Sequence, residues 1–282
     1  MEPVNLDLIP YHYPWLMRYA GGKTRRLKYI TPFISFREKE MYSPFTGSAA
    51  LELWCMSQGM EVHINDLFEP VYNFWVQMQH NKREVVSYLS KHYSFADADI
   101  RKKVDYGYTD ISPEANQAAA FFFLCSCSWG GMPFKSGSSY PNIKAYNTGK
   151  PINRFCSYPP LKFSSISNED CVEFILKHKD KLIYCDPPYV IDNKALSVYG
   201  KDRKLDVDFD HSKLAEALYE CDRFILSYKH HPKVLALYQK WCDIRYYEVE
   251  YTFKRGEMSK ELMISKGIDV KEINGVKPLL PF

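Results

Sequence analysis

No stretch of the 282-residue chain approaches the roughly 20 consecutive apolar residues that a membrane span requires. The first residues, MEPVNLDLIPYHYPW, lack a basic segment followed by an apolar run, so no secretory signal is expected. Bulk charge is also missing. A formal net charge of +3 excludes a polycation, and any nucleic-acid contact must come from local clusters. The eight cysteines contain no C-x-x-C pair, and Cys125-Ser126-Cys127 has no second half to complete a zinc site. Free thiols, a cytoplasmic location and no metal are therefore expected. Internal repeats and low-complexity tracts are absent as well.

What is present is an ordinary globular balance, 46% hydrophobic and 25% charged, with an unusual aromatic share of 16%. Such a share suits a packed core or surfaces that stack on planar rings. Hydrophobic periodicity then organises the chain. Met41–Phe45 reads as a strand, Ala49–Ser57 as a helix closed by Gly59, Glu61–Asp66 as a strand, and Glu69–His80 as a helix with Pro70 in its first turn. Strand–helix–strand–helix with tight connections is the signature of a parallel, doubly wound sheet. The pattern returns at Lys181–Asp186 (strand), Ser212–Glu220 (helix) and Arg223–Tyr228 (strand). Asp243–Glu250 and Glu261–Ser265 follow as an antiparallel hairpin. Residues 85–162 differ in character: a charged stretch over 91–110, an apolar helix over Ala115–Leu124, and a Gly/Ser/Asn/Pro-rich segment over 126–160. That last segment is too long for an ordinary connection, which marks it as functional or as a small subdomain.

The sharpest local signal is Asp186-Pro187-Pro188-Tyr189, directly after KLIYC. A buried strand ending this way places a carboxylate and a tyrosine at the carboxyl edge of a parallel sheet, where open α/β folds bind ligands. The prolines stiffen the turn and remove two N–H donors, so the Asp186 carboxylate and the Pro187 carbonyl can serve as acceptors. Two acceptors on the two hydrogens of an exocyclic ring amine favour a pyramidal nitrogen, free its lone pair and stabilise the charge that develops there. Tyr189 is expected to stack on a flipped base. The segment Ser43 to Glu52 (SPFTGSAALE) leads a strand into a small-residue turn and a helix, allowing backbone to approach a cofactor. Asn65-Asp66 at the next strand end suits a carboxylate that accepts both hydroxyls of a ribose, although a cap for the Glu69 helix is the plainer use. Gly21-Gly22-Lys23-Thr24 invites a phosphate-loop reading, but Met17 stands where that loop needs glycine and no strand feeds it. A glycine turn presenting Lys23 to a carboxylate fits better.

Taken in order, AGGKTRRL, PFTGSAALEL, NDLFEPVYNFW, DPPYV, ILSYKHH and KELMISKG resemble the Dam-type (alpha-group) adenine-N6 DNA methyltransferases over residues 19 to 267. The resemblance implies a Rossmann-like methyltransferase fold with a mostly parallel doubly wound sheet, a C-terminal antiparallel hairpin and an inserted target-recognition subdomain. The corresponding division is a catalytic domain of residues 1–84 and 163–282 and an insert of 85–162. It further implies methyl transfer from S-adenosyl-L-methionine to adenine N6 in double-stranded DNA, by a monomer or weak dimer. Tyr19 and Lys23 would hold the methionine end of that cofactor, Phe45, Thr46, Gly47 and Ser48 would line it, and Asp66 would take the ribose. Asp186, Pro187, Pro188 and Tyr189 would hold the adenine, with Asp186 also near the cofactor. Ile166–Asp170 falls loosely where the family packs against the cofactor's own adenine.

Three departures stand out. Ala49 replaces the usual second glycine, a modest change where the local φ is negative; Phe68 stands where the family often has asparagine; and the insert lacks the usual N-R-x-x-F-N-G stretch. Basic residues of the insert (Lys135, Lys144, Lys150, Arg154, Lys162) alternate with Trp129, Phe134, Tyr140, Tyr146, Phe155 and Tyr158, a mixture suited to phosphate and base contacts. Lys194, Lys201 and Arg203, in the segment after Tyr189, are expected to close over the target strand, and Arg25, Arg26 and Lys28 form a third cluster. Turns like D-P-P-Y also serve cytosine N4 and RNA bases. A silent DNA-binding relative, or transfer of a group other than methyl, is compatible with the same residues.

Overall fold

The computed structural model describes residues 16–35, 37–95, 97–134, 142–192, 204–250, 258–270, 273 and 275–279. The first half runs α1 (Leu27–Ile30), β1 (Glu40–Ser43), α2 (Ala50–Ser57), β2 (Glu61–Asn65) and α3 (Glu69–His80). A helical stretch follows: α4 (Lys82–His92), α5 (Ala98–Gly107), α6 (Glu114–Cys127), α7 (Ile143–Tyr146) and α8 (Lys150–Ser157). The chain then returns to the sheet through β3 (Ser165–Ser167), α9 (Cys171–Lys177) and β4 (Leu182–Cys185), followed by α10 (Lys204–Val207), α11 (His211–Tyr219), β5 (Arg223–Lys229) and α12 (Pro232–Tyr238). It closes with β6 (Asp243–Glu250), β7 (Met258–Lys266) and β8 (Lys277–Pro278).

The strands form one sheet in the order β3-β2-β1-β4-β5-β7-β6-β8. The first five are parallel, while β7, β6 and β8 add in antiparallel fashion. The Rossmann-like expectation, C-terminal hairpin included, is thereby met. Direction reverses at the β1/β4 pair: from β1 the chain winds outward through β2 and β3, from β4 the other way through β5. A crevice opens at such a switch point because the two loops leaving the strands diverge to opposite faces.

Both faces of the sheet are covered, and β4 shows it residue by residue. Leu182 and Tyr184 face one core; Ile183 and Cys185 face the other. All four are buried, as the period of two demands for a central parallel strand. The second core is roofed by α9, α11 and α12. The first is larger and runs without a break from α2 and α3 into α4, α6 and α8. Phe74 of α3 meets Phe121 and Phe122 of α6, with its neighbour Trp75 in the same cluster. Helix α6 is apolar nearly all round, as a helix buried between others must be.

Helix starts follow local chemistry. Asp170 accepts the Val172 and Glu173 N–H groups to cap α9, Asp210 does the same for Ser212 and Lys213 at α11, and α3 carries Pro70 and Glu69 in its first turn. Sequence periodicity does not reveal β3, α9 or α12. β3 has only three residues at the sheet edge, and α9 and α12 are two-turn helices, shorter than a periodic window resolves. Ala49 precedes α2 at φ +53°, ψ +33°, in the left-handed region. The negative φ under which its departure from glycine would be modest does not occur; a side chain sits where glycine is unstrained.

Candidate functional site

A cavity of about 600 Å³ opens at the carboxyl ends of β1, β2 and β4. Tyr19, Lys23, Phe45, Thr46, Gly47, Ser48, Asp66, Asp186 and Pro188 line it, so residues spread from 19 to 188 meet on one surface. Pro187 and Tyr189 are not on that wall.

The turn after β1 is held from several sides. The Thr46 N–H and hydroxyl both donate to the Asn65 carbonyl (3.0 and 2.8 Å), and the Trp75 indole donates to the Gly47 carbonyl at 3.0 Å. Asn65, fully buried, donates to the Pro44 and Glu169 carbonyls and accepts from Ser167 Oγ and the Glu169 N–H, tying three strand ends together. Its neighbour Asp66 accepts from the Gly47 N–H and the Phe68 N–H, each at 2.9 Å. Burial pushes the Asp66 carboxyl up to about 6, and those two backbone donors oppose the rise. Asp66 is not the cap of α3, whose N-cap is Phe68 with no side-chain cap bond; holding two backbone N–H groups still leaves it room for a ligand, since two carboxylate oxygens carry about four acceptor sites.

Asp186 sits where strand β4 runs into its two prolines. The Lys23 ammonium, nearly buried, lies 2.5 and 2.6 Å from its two oxygens and donates as well to the Gly21 carbonyl. Ser227 Oγ, on β5, donates to Asp186 Oδ1 at 3.0 Å. The glycine turn does present Lys23 to a carboxylate, and that carboxylate is Asp186. Gly22 permits the approach: a Cβ there would lie 3.2 Å from both Ser48 Oγ and the Tyr19 carbonyl.

The Tyr189 hydroxyl donates to Glu261 Oε2 at 2.9 Å, and its ring lies tilted against Tyr228, 5.6 Å between centroids. Glu261, on β7, is buried, and Arg26 Nη2 stands 3.5 Å from its other oxygen. Burial raises the Glu261 carboxyl, while Lys23, Arg26 and the Tyr189 hydroxyl hold it down. Arg26 is thus committed to this interior network rather than to an open basic cluster; Arg25 and Lys28 remain exposed. The sequence carried signals for two of these supporting residues, since Ser227 stands in ILSYKHH and Glu261 in KELMISKG. Nothing in one dimension said which cavity they would face. Glu52, also on the cavity wall, went without a role for the same reason.

The expected nucleic-acid surface divides. Lys144 and Lys150 are exposed and Arg154, on α8, is half-buried. Lys135, Tyr140, Lys194, Lys201 and Arg203 lie outside the described residues. The aromatics expected to stack there are mostly structural. Tyr146, Phe155 and Tyr158 are buried in the first core, and Phe134 packs on Phe68, Tyr108 and Phe121. Of the five described aromatics Trp129 alone is exposed, at 42%. Spacing among basic residues cannot tell a stacking ring from a core ring, because both recur every few positions in a short helix. One insert segment also supports the cavity: Gly131, at φ +74°, passes so close to Tyr19 that a Cβ would come within 2.8 Å of its Cα.

Among the described residues no group of three or more His, Cys, Asp or Glu side chains could hold a metal ion, and no helix is long and apolar enough to cross a membrane. The cavity wall combines carboxylates, exposed backbone and an apolar ring. Asp66, Asp186 and Glu52 give it three carboxylates, the backbone at Gly47 permits close approach, and Phe45 supplies an apolar ring. A family model described as D12 class N6 adenine-specific DNA methyltransferase covers residues 19–254. A search of curated proteins finds no match to the chain.

Proposed function

The chain belongs to the D12 class of N6 adenine-specific DNA methyltransferases, and from that premise we propose that the cavity at the β1/β4 switch point seats S-adenosylmethionine beside the Asp186 turn. The observation that carries this reading is the convergence of residues from three successive strand ends and the Lys23 turn on one surface. Asp66 takes the ribose hydroxyls, Phe45 through Ser48 line the nucleoside, and Tyr19 stands at the amino-acid end. When bound, the cofactor supplies an electrophilic methyl group on a sulfonium.

The chain's own residues do the rest. Asp186 and the Pro187 carbonyl accept the two hydrogens of the target amine, favouring a pyramidal nitrogen and stabilising the positive charge that grows on it. Lys23 and Ser227 fix the carboxylate so that it does not reorganise during the reaction. Glu261 anchors the Tyr189 hydroxyl, which sets the plane of the ring offered to the base. Residues 85–162 select the target sequence, with Lys144 and Lys150 on phosphates and Arg154 on a base edge, in a protein that acts as a monomer or weak dimer.

The test is product analysis. Duplex DNA is incubated with the protein and methyl-labelled cofactor, then digested to nucleosides and separated. Label in N6-methyldeoxyadenosine alone is expected. Label in N4-methyldeoxycytidine, or a preference for RNA over duplex DNA, would overturn the reading.

A further inference from the structure

Helix α5 buries an arginine where an apolar residue would serve. Arg101 shares the inward face of that helix with Val104, and its side chain is fully buried. A buried ion pair is often no more stable than well-packed apolar residues in its place. What the guanidinium adds is direction. Its Nη2 donates to Ser128 Oγ at 2.6 Å and to the Pro133 carbonyl at 2.7 Å, so one nitrogen bridges the two ends of the turn 128–133. Asp105, one turn along α5, stands 3.2 Å from Nη1. The buried Ser128 hydroxyl donates in turn to the Leu124 carbonyl at 2.6 Å, and Asn142 donates to the Ser128 carbonyl at 2.6 Å. The turn is thereby tied to both α5 and α6.

That turn faces solvent on one side and the cavity on the other. Trp129 is exposed. Gly130 (φ +63°) and Gly131 (φ +74°) follow it in the left-handed region, and Gly131 lies against the backbone of Arg18 and Tyr19, where a Cβ would come within 2.8 to 3.0 Å. Tyr19 lines the cavity; Arg18 and Arg25 are exposed. An exposed indole in a turn docked on a cationic segment suits stacking on a base. Consecutive glycines, however, leave a turn many conformations, and the cost of ordering them on contact would be subtracted from DNA affinity. We propose that Arg101 is a positioning residue for the DNA step: by clamping 128–133 it preorganises Trp129 for contact with the duplex. The inference rests on the reading that residues 85–162 contact the target DNA. Tyr19 has other supports, since the Gly22 N–H donates to its carbonyl at 3.2 Å and its ring lies beside Gly47 and Phe121. Loss of the clamp should therefore fall on DNA and not on the cofactor.

Arg101→Met combined with Asp105→Asn removes both charges and leaves neither stranded. The melting temperature should stay within about 5 °C. The KM for duplex DNA should rise about 10- to 100-fold, while kcat and the affinity for S-adenosylhomocysteine by calorimetry stay within about threefold. Trp129→Ala should raise the DNA KM by a similar factor. Adding it to the double variant should change the KM by no more than about threefold, because the clamp acts through that ring. Arg101→Lys, which keeps a donor and the charge, should recover part of the loss. Ser128→Ala frees one end of the turn and leaves Arg101 with Asp105 and Pro133, so it keeps the test available if the double variant fails to fold. It should raise the DNA KM about threefold or more, and do so only while Trp129 is present. Parallel loss of kcat, cofactor affinity and melting temperature would make Arg101 a support of the fold alone. An unchanged DNA KM in folded variants, or full additivity with Trp129→Ala, would refute the assignment as well. If Trp129→Ala, Lys144→Ala and Arg154→Ala all leave DNA binding unchanged, the reading of residues 85–162 fails first and this inference falls with it.

Discussion

The carboxyl edge of the sheet and the helices of residues 85–162 share one apolar core but use their polar residues in opposite ways. At the edge, charged groups point inward and are paired: Lys23 with Asp186, Arg26 with Glu261, Asp66 with two backbone N–H groups. In 85–162 the interior is mainly aromatic, with Arg101 as the buried exception, fixed by Asp105, Ser128 Oγ and the Pro133 carbonyl. Lys144 and Lys150 face outward. A buried charge is oriented by its neighbours and suits chemistry at a fixed point. An exposed lysine on a flexible stem suits a phosphate backbone, which it need not locate to a fraction of an ångström.

The contrast predicts unequal effects. Asp186→Ala should be the most severe, lowering turnover by at least about 100-fold while cofactor affinity stays within several-fold. It also strands the buried Lys23 ammonium, so the melting temperature should drop; Asp186→Asn, which keeps an acceptor beside Lys23, should recover stability more than rate. Single-turnover kinetics and thermal melts check both. A near-normal rate in Asp186→Ala would remove the chemistry from this turn and erase the distinction between the regions.

Asp66→Ala should weaken cofactor binding by about 1.5–3 kcal/mol, the range for a charge-assisted hydrogen bond, without changing which DNA sequence is methylated. Unchanged affinity by calorimetry would leave Asp66 only its structural role as acceptor for Gly47 and Phe68.

Smaller and more selective effects belong to residues 85–162. Lys144→Ala or Lys150→Ala should weaken all duplexes alike and make the log-affinity versus log-salt slope shallower by about one unit. Arg154→Ala should cost roughly 1–3 kcal/mol on the preferred site and nothing elsewhere. If neither slope nor preference moves, this surface is a lid over the core and specificity lies elsewhere. The smallest effect is expected from Ala49→Gly. Relief of about 1–2 kcal/mol of left-handed strain is offset by loss of a buried methyl worth about 0.8 kcal/mol, so thermal melts should show stabilisation of about 1 kcal/mol or less.

Much of the fold was readable before any coordinates because parallel strands and their helices announce themselves by period and punctuation. Glu69–His80 and Asp243–Glu250 fall on the residues that periodicity assigns, and the remaining expected elements shift by a few residues at their ends. Periodicity was silent at β3, α9 and α12, where elements of three to seven residues give too few repeats, and at α4 and α5, where charge obscures the apolar stripe. The aromatic residues near Lys144 and Arg154 misled in one direction: composition suggested a stacking surface, and packing turned most of those rings into the core.

The sequence by itself determined that a strand would end at Asp186-Pro187-Pro188-Tyr189, that the small-residue turn at Gly47 would let backbone approach a ligand, and that the Gly21-Gly22 turn would present Lys23 to a carboxylate. These are local matters of turn chemistry and steric freedom. Only the tertiary structure decided that Lys23 would pair with Asp186, 163 positions away, that Glu261 would hold the Tyr189 hydroxyl, and that Glu52 would face the cavity with a serine as its side-chain partner. Partners of that kind are chosen by sheet order and helix rotation, and neither is written in the spacing of residues along the chain.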